Sequence, residues 1–134
     1  MHFSFESDIG ASPLTFGADR TVVRAGLSPL VPKTQATEPE NDFYTKEGLI
    51  VGFDKNNKLE FIEVFPPSTA QFGEVRFFDK PFPQILADLR SMGLSYREIH
   101  GAYRFDSVGI SLYAPNKTIQ SASLFKPGYY QGTC

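Results

Sequence analysis

Two stretches decide the fold of this chain: Gly48-Leu49-Ile50-Val51 with segment 59–65, and Gly109-Ile110-Ser111-Leu112 with segment 119–125. In each, a segment of alternating character follows a glycine, and a polar turn leads to a second strand-like segment. This pattern predicts a β-hairpin. A helix-like segment precedes each hairpin and ends near Leu27 in the first case and near Leu89 in the second. A unit of one helix plus one hairpin therefore occurs twice, about sixty residues apart, and two such units are expected to complete one core.

The two units also align residue by residue. The aligned pairs are Phe16 with Phe78, Val23 with Ile85, Leu27 with Leu89, Tyr44 with Phe105, Gly48 with Gly109, Leu59 with Ile119 and Phe65 with Phe125. Asp19 is a candidate cap for the first helix, and Pro81 suits the first turn of the second. We predict an α+β domain over 1–134, with repeats at about 14–65 and 75–125 and a Pro-rich loop at 28–41. The two units share one antiparallel sheet of about six to eight strands, with both helices on one face.

Composition places the chain among ordinary globular domains. A length of 134 residues buries roughly two thirds of the unfolded surface without disulfides or metals. The unusual count is 13 Phe with no Trp, which predicts a core rich in phenylalanine with some rings left for a binding face.

Charge and cysteine content narrow the partners and the compartment. A formal net charge of -2 and scattered Lys and Arg argue against nucleic acid as the partner. Residues 1–8 have neither a basic start nor an apolar run, and no stretch is apolar enough for a membrane span, so we expect no membrane association. The one cysteine, Cys134, has no internal disulfide partner, which is typical of a reducing compartment. We therefore expect a cytoplasmic protein.

The segment from Pro13 to Leu27 reads Leu-Thr-Phe-Gly-Ala-Asp and continues through Val22 and Val23 into a helix. It resembles the opening of the repeated unit in the β-lactamase-inhibitor-like and outer-membrane-assembly-lipoprotein superfamily. The resemblance implies helices packed on an antiparallel sheet, with the unit present twice. The whole pattern is also similar to small bacterial proteins that are uncharacterised or that serve as immunity partners of secreted toxins. The secreted inhibitors of that superfamily have disulfides, and its lipoproteins have an N-terminal lipidation cysteine. This chain has neither, so the resemblance implies architecture and no functional residue.

The chemistry-bearing residues do not form a catalytic pattern. His100 lies in a predicted loop near Glu98, where a general base would lack a partner, and Cys134 is expected to be an inert thiol. Two histidines and one terminal cysteine have no zinc-binding spacing, and no two glycines are close enough for a phosphate loop. We therefore expect no catalytic site, no metal and no cofactor.

Aromatic and acidic residues are the stronger indication of function. If the helices cover one face of the sheet, residues on the other face stay exposed until a partner covers them. Strand alternation places Ile50, Phe61 and Glu63 on that face, and places Glu60 and Glu63 on opposite faces. We predict partner contacts from acidic strand and turn residues and from aromatic residues of the strand and tail, namely Glu60, Glu63, Asp54, Phe61, Tyr129 and Tyr130.

The function that these observations favour is non-enzymatic protein binding, as in an immunity protein or an enzyme inhibitor, with a rim of acidic residues steering toward a basic partner. The acidic candidates cluster in sequence and are Asp42, Glu47, Asp54, Glu60 and Glu63. Two alternatives stay open. One is a structural module that self-associates through an edge strand. The other is a small-ligand binder or enzyme with a cleft between helix and sheet, which would need converging polar groups of displaced pKa.

Overall fold

The computed structural model describes residues 1–130 and contains two helices and thirteen strands within that range. Their bounds are β1 (His2–Glu6), β2 (Gly10–Ser12), β3 (Leu14–Thr15), α1 (Arg20–Gly26), β4 (Lys33–Gln35), β5 (Glu38–Tyr44), β6 (Leu49–Phe53), β7 (Leu59–Val64), β8 (Thr69–Phe72), β9 (Val75–Arg76), α2 (Phe82–Ser91), β10 (Arg97–Ile99), β11 (Ala102–Phe105), β12 (Ile110–Tyr113) and β13 (Ser121–Phe125). Neither helix of this described range has the length and apolar character needed to cross a bilayer.

The strands form two sheets. The larger has eight strands in the order β10-β11-β12-β13-β7-β6-β5-β4, and every neighbouring pair is antiparallel. The smaller has five strands in the order β3-β2-β1-β8-β9, of which only β1 and β8 run parallel. The predicted α+β class and the large antiparallel sheet are confirmed.

The two units share the eight-stranded sheet, as predicted, and the chain also forms a second, five-stranded sheet that the sequence did not predict. The chain start is its centre: β1 pairs with β2 on one side and with β8 on the other. Phe3 and Phe5 alternate along β1 and are both buried. Burial of their apolar area holds this strand in the core.

The two halves of the eight-stranded sheet meet where β7 pairs with β13. Each half supplies four consecutive antiparallel strands, β4 to β7 and β10 to β13. At the junction, Ile62 lies opposite Leu124 and Glu63 lies opposite Ser123. The side chains of Ile62 and Leu124 are fully buried, so this pairing joins two meanders into one continuous core surface.

The core lies on one face of the eight-stranded sheet. Leu49, Val51 and Phe53 alternate along β6 and are buried, as the sequence predicts. Helix residues Val23, Leu27, Ile85 and Leu89 belong to the same buried cluster. Both helices and the five-stranded sheet therefore cover this face, and the opposite one is called the outer face below.

Two glycines mark the same corner in each half. Gly48 and Gly109 have φ of 79° and 73°, a left-handed conformation that glycine adopts without strain. Their carbonyl groups accept hydrogen bonds from the N–H groups of Phe65 and Phe125, at 2.9 and 2.8 Å. The alignment of Gly48 with Gly109 and of Phe65 with Phe125 thus corresponds to one repeated local structure.

The Pro-rich segment 28–41 contains more structure than the sequence indicates. The prediction of a loop is wrong for β4 and for the first residues of β5, which form an irregular antiparallel pair at the sheet edge. Pro39 lies in the part of β5 that precedes its pairing with β6 at Asn41, so its missing N–H breaks no bond between those two strands.

The halves differ where the first turn of each helix meets the sheet. In the first half, Arg20 and Arg24 both bind the fully buried carboxylate of Asp42, at 2.6 and 2.7 Å. The prediction that Asp42 belongs to an acidic rim is therefore wrong, because its charge is buried and paired. In the second half, the aligned positions are Phe82 and Tyr103, whose rings lie 4.7 Å apart. Burial opposes ionisation of Asp42, but the hydrogen bonds from Arg24 and Arg20 outweigh it and keep the pKa of Asp42 below its ordinary value.

We expect Gly48→Ala and Gly109→Ala to lower the free energy of unfolding by more than about 2 kcal/mol each, because positive φ strains alanine. A Cβ at Gly48 would also lie 1.9 Å from the carbonyl oxygen of Phe65, and one at Gly109 would lie 2.5 Å from that of Phe125. Gly26→Ala is the matched control: its Cβ meets nothing within 4 Å. It should stabilise the helix by about 0.5 kcal/mol, as measured by urea denaturation. Equal stability of all three variants would contradict the assigned corner.

We expect Asp42→Asn to lower the free energy of unfolding by about 3 kcal/mol, because it leaves Arg20 and Arg24 without their shared carboxylate. The lowered pKa means that this stabilisation is present at neutral pH and is lost as the pH falls below the ordinary aspartate pKa of about 3.9. The difference in free energy of unfolding between the wild type and Asp42→Asn, measured by denaturant titration, should therefore become smaller in acid. Asp19→Asn, which weakens only the exposed pair with Lys58, should cost less than about 1 kcal/mol. A pH-independent gap would argue against the assigned ion pairs.

Candidate protein interface

Strand register places a row of side chains across the outer face. Neighbouring strands pair Phe43 with Ile50, Ile50 with Glu63, Glu63 with Ser123, Ser123 with Ser111, and Ser111 with Arg104. The row begins apolar and acidic on the first meander and ends basic on the second. This confirms that Ile50 and Glu63 share the face opposite Leu49 and Val51.

The chain after β13 turns back over the outer face. Gly128 has φ of 84°, and the N–H of Tyr129 donates to the carbonyl of Lys126 at 3.1 Å. The turn stacks Tyr129 on Phe61, with ring centres 5.2 Å apart. Tyr130 meets Phe125 edge-on at 4.7 Å. These four rings, Phe61, Phe125, Tyr129 and Tyr130, are called the aromatic cluster below.

A β-bulge changes the predicted orientation of Glu60. Gly52 pairs with Phe61 and Phe53 pairs with Leu59, so Glu60 is the extra residue of β7. Leu59 and Ile62 are consequently both buried although they are three positions apart. The prediction that Glu60 and Glu63 lie on opposite faces is wrong, because the bulge places both away from the core. The carbonyl of Glu60 also accepts the N–H of Lys126, at 3.0 Å, which ties the tail to the bulge.

Acidic groups surround Tyr129. Its burial and the neighbouring Tyr130, followed by the negative charges of Glu60, Glu40 and Glu63, raise the pKa of Tyr129 to about 12. Burial also raises the pKa of Glu60, and repulsion from Asp54 and Glu40 adds to that shift despite the attraction of Lys126. The tail thus lies in a region of negative potential.

Three of these carboxylates lack a cationic partner within residues 1–130. Glu40, Glu60 and Glu63 take part in no ion pair of that part of the chain. Together with the aromatic cluster they form what is called the acidic aromatic patch below. A carboxylate that repels its neighbours is stabilised by any cation brought beside it.

Asp54 has mainly a structural role at the border of this patch. Its carboxylate accepts the N–H groups of Asn56 and Lys58, at 2.8 and 3.0 Å, and it lies 3.8 Å from the ammonium of Lys126. The hydrogen bond from Lys58 is the main reason that the pKa of Asp54 lies below its ordinary value. Asp54 therefore shapes the β6–β7 turn.

At the basic end of the outer face, two arginines share one carboxylate. A cleft of about 460 Å³ opens between the tail and β11, lined by Arg97, Arg104, Asp106 and Tyr130 among others. Asp106 binds Arg104 and Arg97, each at 2.9 Å, and the hydrogen bond from Arg104 is the main cause of its lowered pKa. The guanidinium of Arg104 also lies 4.1 Å from the ring centre of Tyr130. Both arginines thus have an ion-pair partner, whereas Glu40, Glu60 and Glu63 form no ion pair within residues 1–130.

Five of the six residues predicted to bind a partner come together on the outer face: Glu60, Glu63, Phe61, Tyr129 and Tyr130. Sequence reasoning missed Phe125 and Glu40. All five residues of β13 are buried, which identifies it as a strand covered on both faces, and the Pro-Gly turn that follows was the available signal for Phe125. Glu40 was hidden in the Pro-rich segment, which carried no strand signal.

The remaining reactive groups stay apart from this patch. His100 is exposed in the tight turn between β10 and β11. His2 forms hydrogen bonds with Thr69 at 2.6 Å and with Gln71 at 2.8 Å, which link β1 to β8. Over residues 1–130, no group of three or more His, Cys, Asp or Glu side chains is placed to hold a metal ion. Cys134 lies outside the described residues.

Comparisons of the chain with family models, with curated proteins and with solved structures find no match. The resemblance to the β-lactamase-inhibitor-like and outer-membrane-assembly-lipoprotein superfamily stays a prediction.

We expect the packed tail to make stability fall at alkaline pH. Because the pKa of Tyr129 is about 12 when folded and about 10 when unfolded, folding retains a proton that the unfolded chain loses. The stabilisation is complete below about pH 10 and declines toward the folded pKa. Tyr129→Phe should flatten this decline in urea titrations between about pH 9 and about pH 11. The control is Tyr113→Phe, which removes the hydroxyl of an exposed tyrosine outside the tail and should decline with pH like the wild type. If stability declines equally in the wild type, Tyr129→Phe and Tyr113→Phe, the packing of Tyr129 on the sheet is contradicted.

Proposed function

We propose that this chain is a non-enzymatic protein-binding module that holds a basic protein against the acidic aromatic patch. The observation that carries the proposal is a set of three carboxylates, those of Glu40, Glu60 and Glu63, that form no ion pair within residues 1–130 and lie around stacked rings. Mutual repulsion makes this arrangement unfavourable in the free protein. A Lys or Arg from a partner would relieve it and would bury the rings at the same time.

The aromatic cluster suits the centre of an interface. Phe61, Tyr129 and Tyr130 are half-buried by their own contacts and keep part of their surface accessible. Tyrosine contributes a large contact area with few rotatable bonds, and the carboxylates around it would form a polar rim. Charges at such a rim mainly increase the rate of association with a partner of opposite charge.

Within this class, the role that we propose is a toxin-neutralising immunity protein or an enzyme inhibitor that acts in the cytoplasm. The support is the resemblance to small bacterial immunity proteins that the sequence predicts, together with an acidic surface that would complement a basic toxin or enzyme. Charge complementarity of this kind gives fast and specific capture.

The experiment measures binding to the product of the neighbouring gene. Glu60→Lys together with Glu63→Lys should weaken that binding by at least about tenfold, mostly through slower association, and added salt should reduce the difference between variant and wild type. Glu74→Lys together with Glu98→Lys makes a matched double reversal at exposed acidic positions away from the patch and should change the affinity less than about twofold. Unchanged affinity in the double variant would remove the outer face as the binding surface.

A further inference from the structure

The segment that enters each helix runs beside the segment that enters the last strand of the same half. In the first half, these are residues 17–20 and 57–59, called the first seam. Three backbone hydrogen bonds close it: Gly17 N–H to Leu59 O at 2.9 Å, Leu59 N–H to Ala18 O at 3.0 Å, and Arg20 N–H to Asn57 O at 2.9 Å. An ion pair between Asp19 and Lys58, at 2.7 Å, covers the outside of this seam.

The aligned residues of the second half, 79–82 and 117–119, form the second seam. Asp19 and Pro81 are both the residue before the first helical turn, so the two seams can be compared position by position. None of the three backbone bonds has a counterpart between these segments, which lie wholly within the described range. Pro81 and Thr118 replace Asp19 and Lys58, so the ion pair has no counterpart either.

A cleft lies where the second seam fails to close. Its volume is about 300 Å³. Its apolar lining includes Phe77 and Phe82, which are buried, and Phe78 and Ile119, which are partly exposed. Rings on several sides of a narrow cleft favour a flat apolar ligand.

Two ammonium groups lie at the rim of this cleft. Lys117 donates a hydrogen bond to the hydroxyl of Tyr103 at 2.6 Å, which orients its ammonium without neutralising the charge. Lys80 lies 3.4 Å from Asp88, a long contact between partly exposed groups that leaves other directions of its ammonium accessible. The one carboxylate of the second seam, that of Asp79, pairs with Arg76 at 3.7 Å. The ammonium groups of Lys80 and Lys117 therefore lie near the place where the first seam contains the carboxylate of Asp19.

We propose that the second seam is a binding site for a small carboxylate with a flat apolar body, such as an aromatic acid. The carboxylate would lie between Lys80 and Lys117, in the role that Asp19 has in the first seam, and the apolar body would contact Phe78, Phe82 and Ile119. The site is separate from the acidic aromatic patch, and its ligand differs from a protein partner in size and charge.

The probe is 3-phenylpropionate, with 3-phenylpropanamide as its uncharged match. Titration of the folded protein, followed by amide chemical shifts, should move the signals of Phe82, Lys117 and Ile119 with a Kd on the order of 1 mM. The amide should bind about fivefold more weakly, because it lacks the charge that the lysines recognise. Absence of shifts at these residues with the carboxylate overturns the proposal, and so does equal binding of the two probes.

Variants of the two lysines test whether they bind the carboxylate of the probe. Lys80→Met and Lys117→Met should each weaken 3-phenylpropionate about threefold and leave the amide unchanged. Lys117→Met also removes the hydrogen bond to the hydroxyl of Tyr103, whereas Lys80→Met leaves that bond in place. Lys126→Met, remote from the cleft, is the control and should not alter binding. Retained affinity in both seam variants contradicts the assigned role of the lysines.

A further variant restores the chemistry of the first seam. Pro81→Asp combined with Thr118→Lys introduces the counterparts of Asp19 and Lys58 and should abolish binding of the carboxylate by occupying its place. Unfolding in urea checks that this variant is folded. If it is folded and binds 3-phenylpropionate like the wild type, the carboxylate does not lie in the second seam.

Discussion

The structure depends on the antiparallel pairing of β7 with β13. This pairing turns two four-stranded meanders into one eight-stranded sheet, and its register sends Ile62 and Leu124 into the core while Glu63 and Ser123 face outward. Because side chains alternate along a strand, a shift of one residue would exchange these two sets. The same register places Phe61 opposite Phe125, and these two rings are the floor on which the tail packs. The register of this one strand pair therefore fixes both the residues of the core and those of the candidate interface.

The two halves share a backbone plan and use different side-chain chemistry within it. At the first turn of the helices, the first half holds a buried carboxylate between two arginines, and the second half packs the ring of Phe82 against that of Tyr103 at a tilt of 56°. At the seams, the first half closes with backbone bonds and an ion pair, whereas the second leaves an aromatic cleft with lysines at its rim. A repeated frame thus allows local specialisation, since each element keeps its contacts while individual positions change character.

Much of the frame was predictable from particular residues. Gly48 and Gly109 indicated equivalent corners, because a left-handed backbone favours glycine. The alternation of Leu49, Val51 and Phe53 identified the buried face of β6. The five-stranded sheet was not predictable in this way, because its longest strand has five residues and parallel pairing of β1 with β8 joins segments far apart in the chain. The bulge at Glu60 also escaped strand alternation, since one extra residue reverses which side chains share a face.

Local periodicity and turn residues are enough to predict the α+β class, the repeat, the helix positions and the apolar faces of the main hairpins. Only the tertiary structure decided that Glu40, Glu60 and Glu63 meet around Tyr129, that the tail returns over Phe61 and Phe125, and that one seam is open. The physical reason is that these features depend on strand register and on a single β-bulge. Both are set by the balance of packing across the whole sheet, to which no short stretch of chain contributes enough to reveal the outcome.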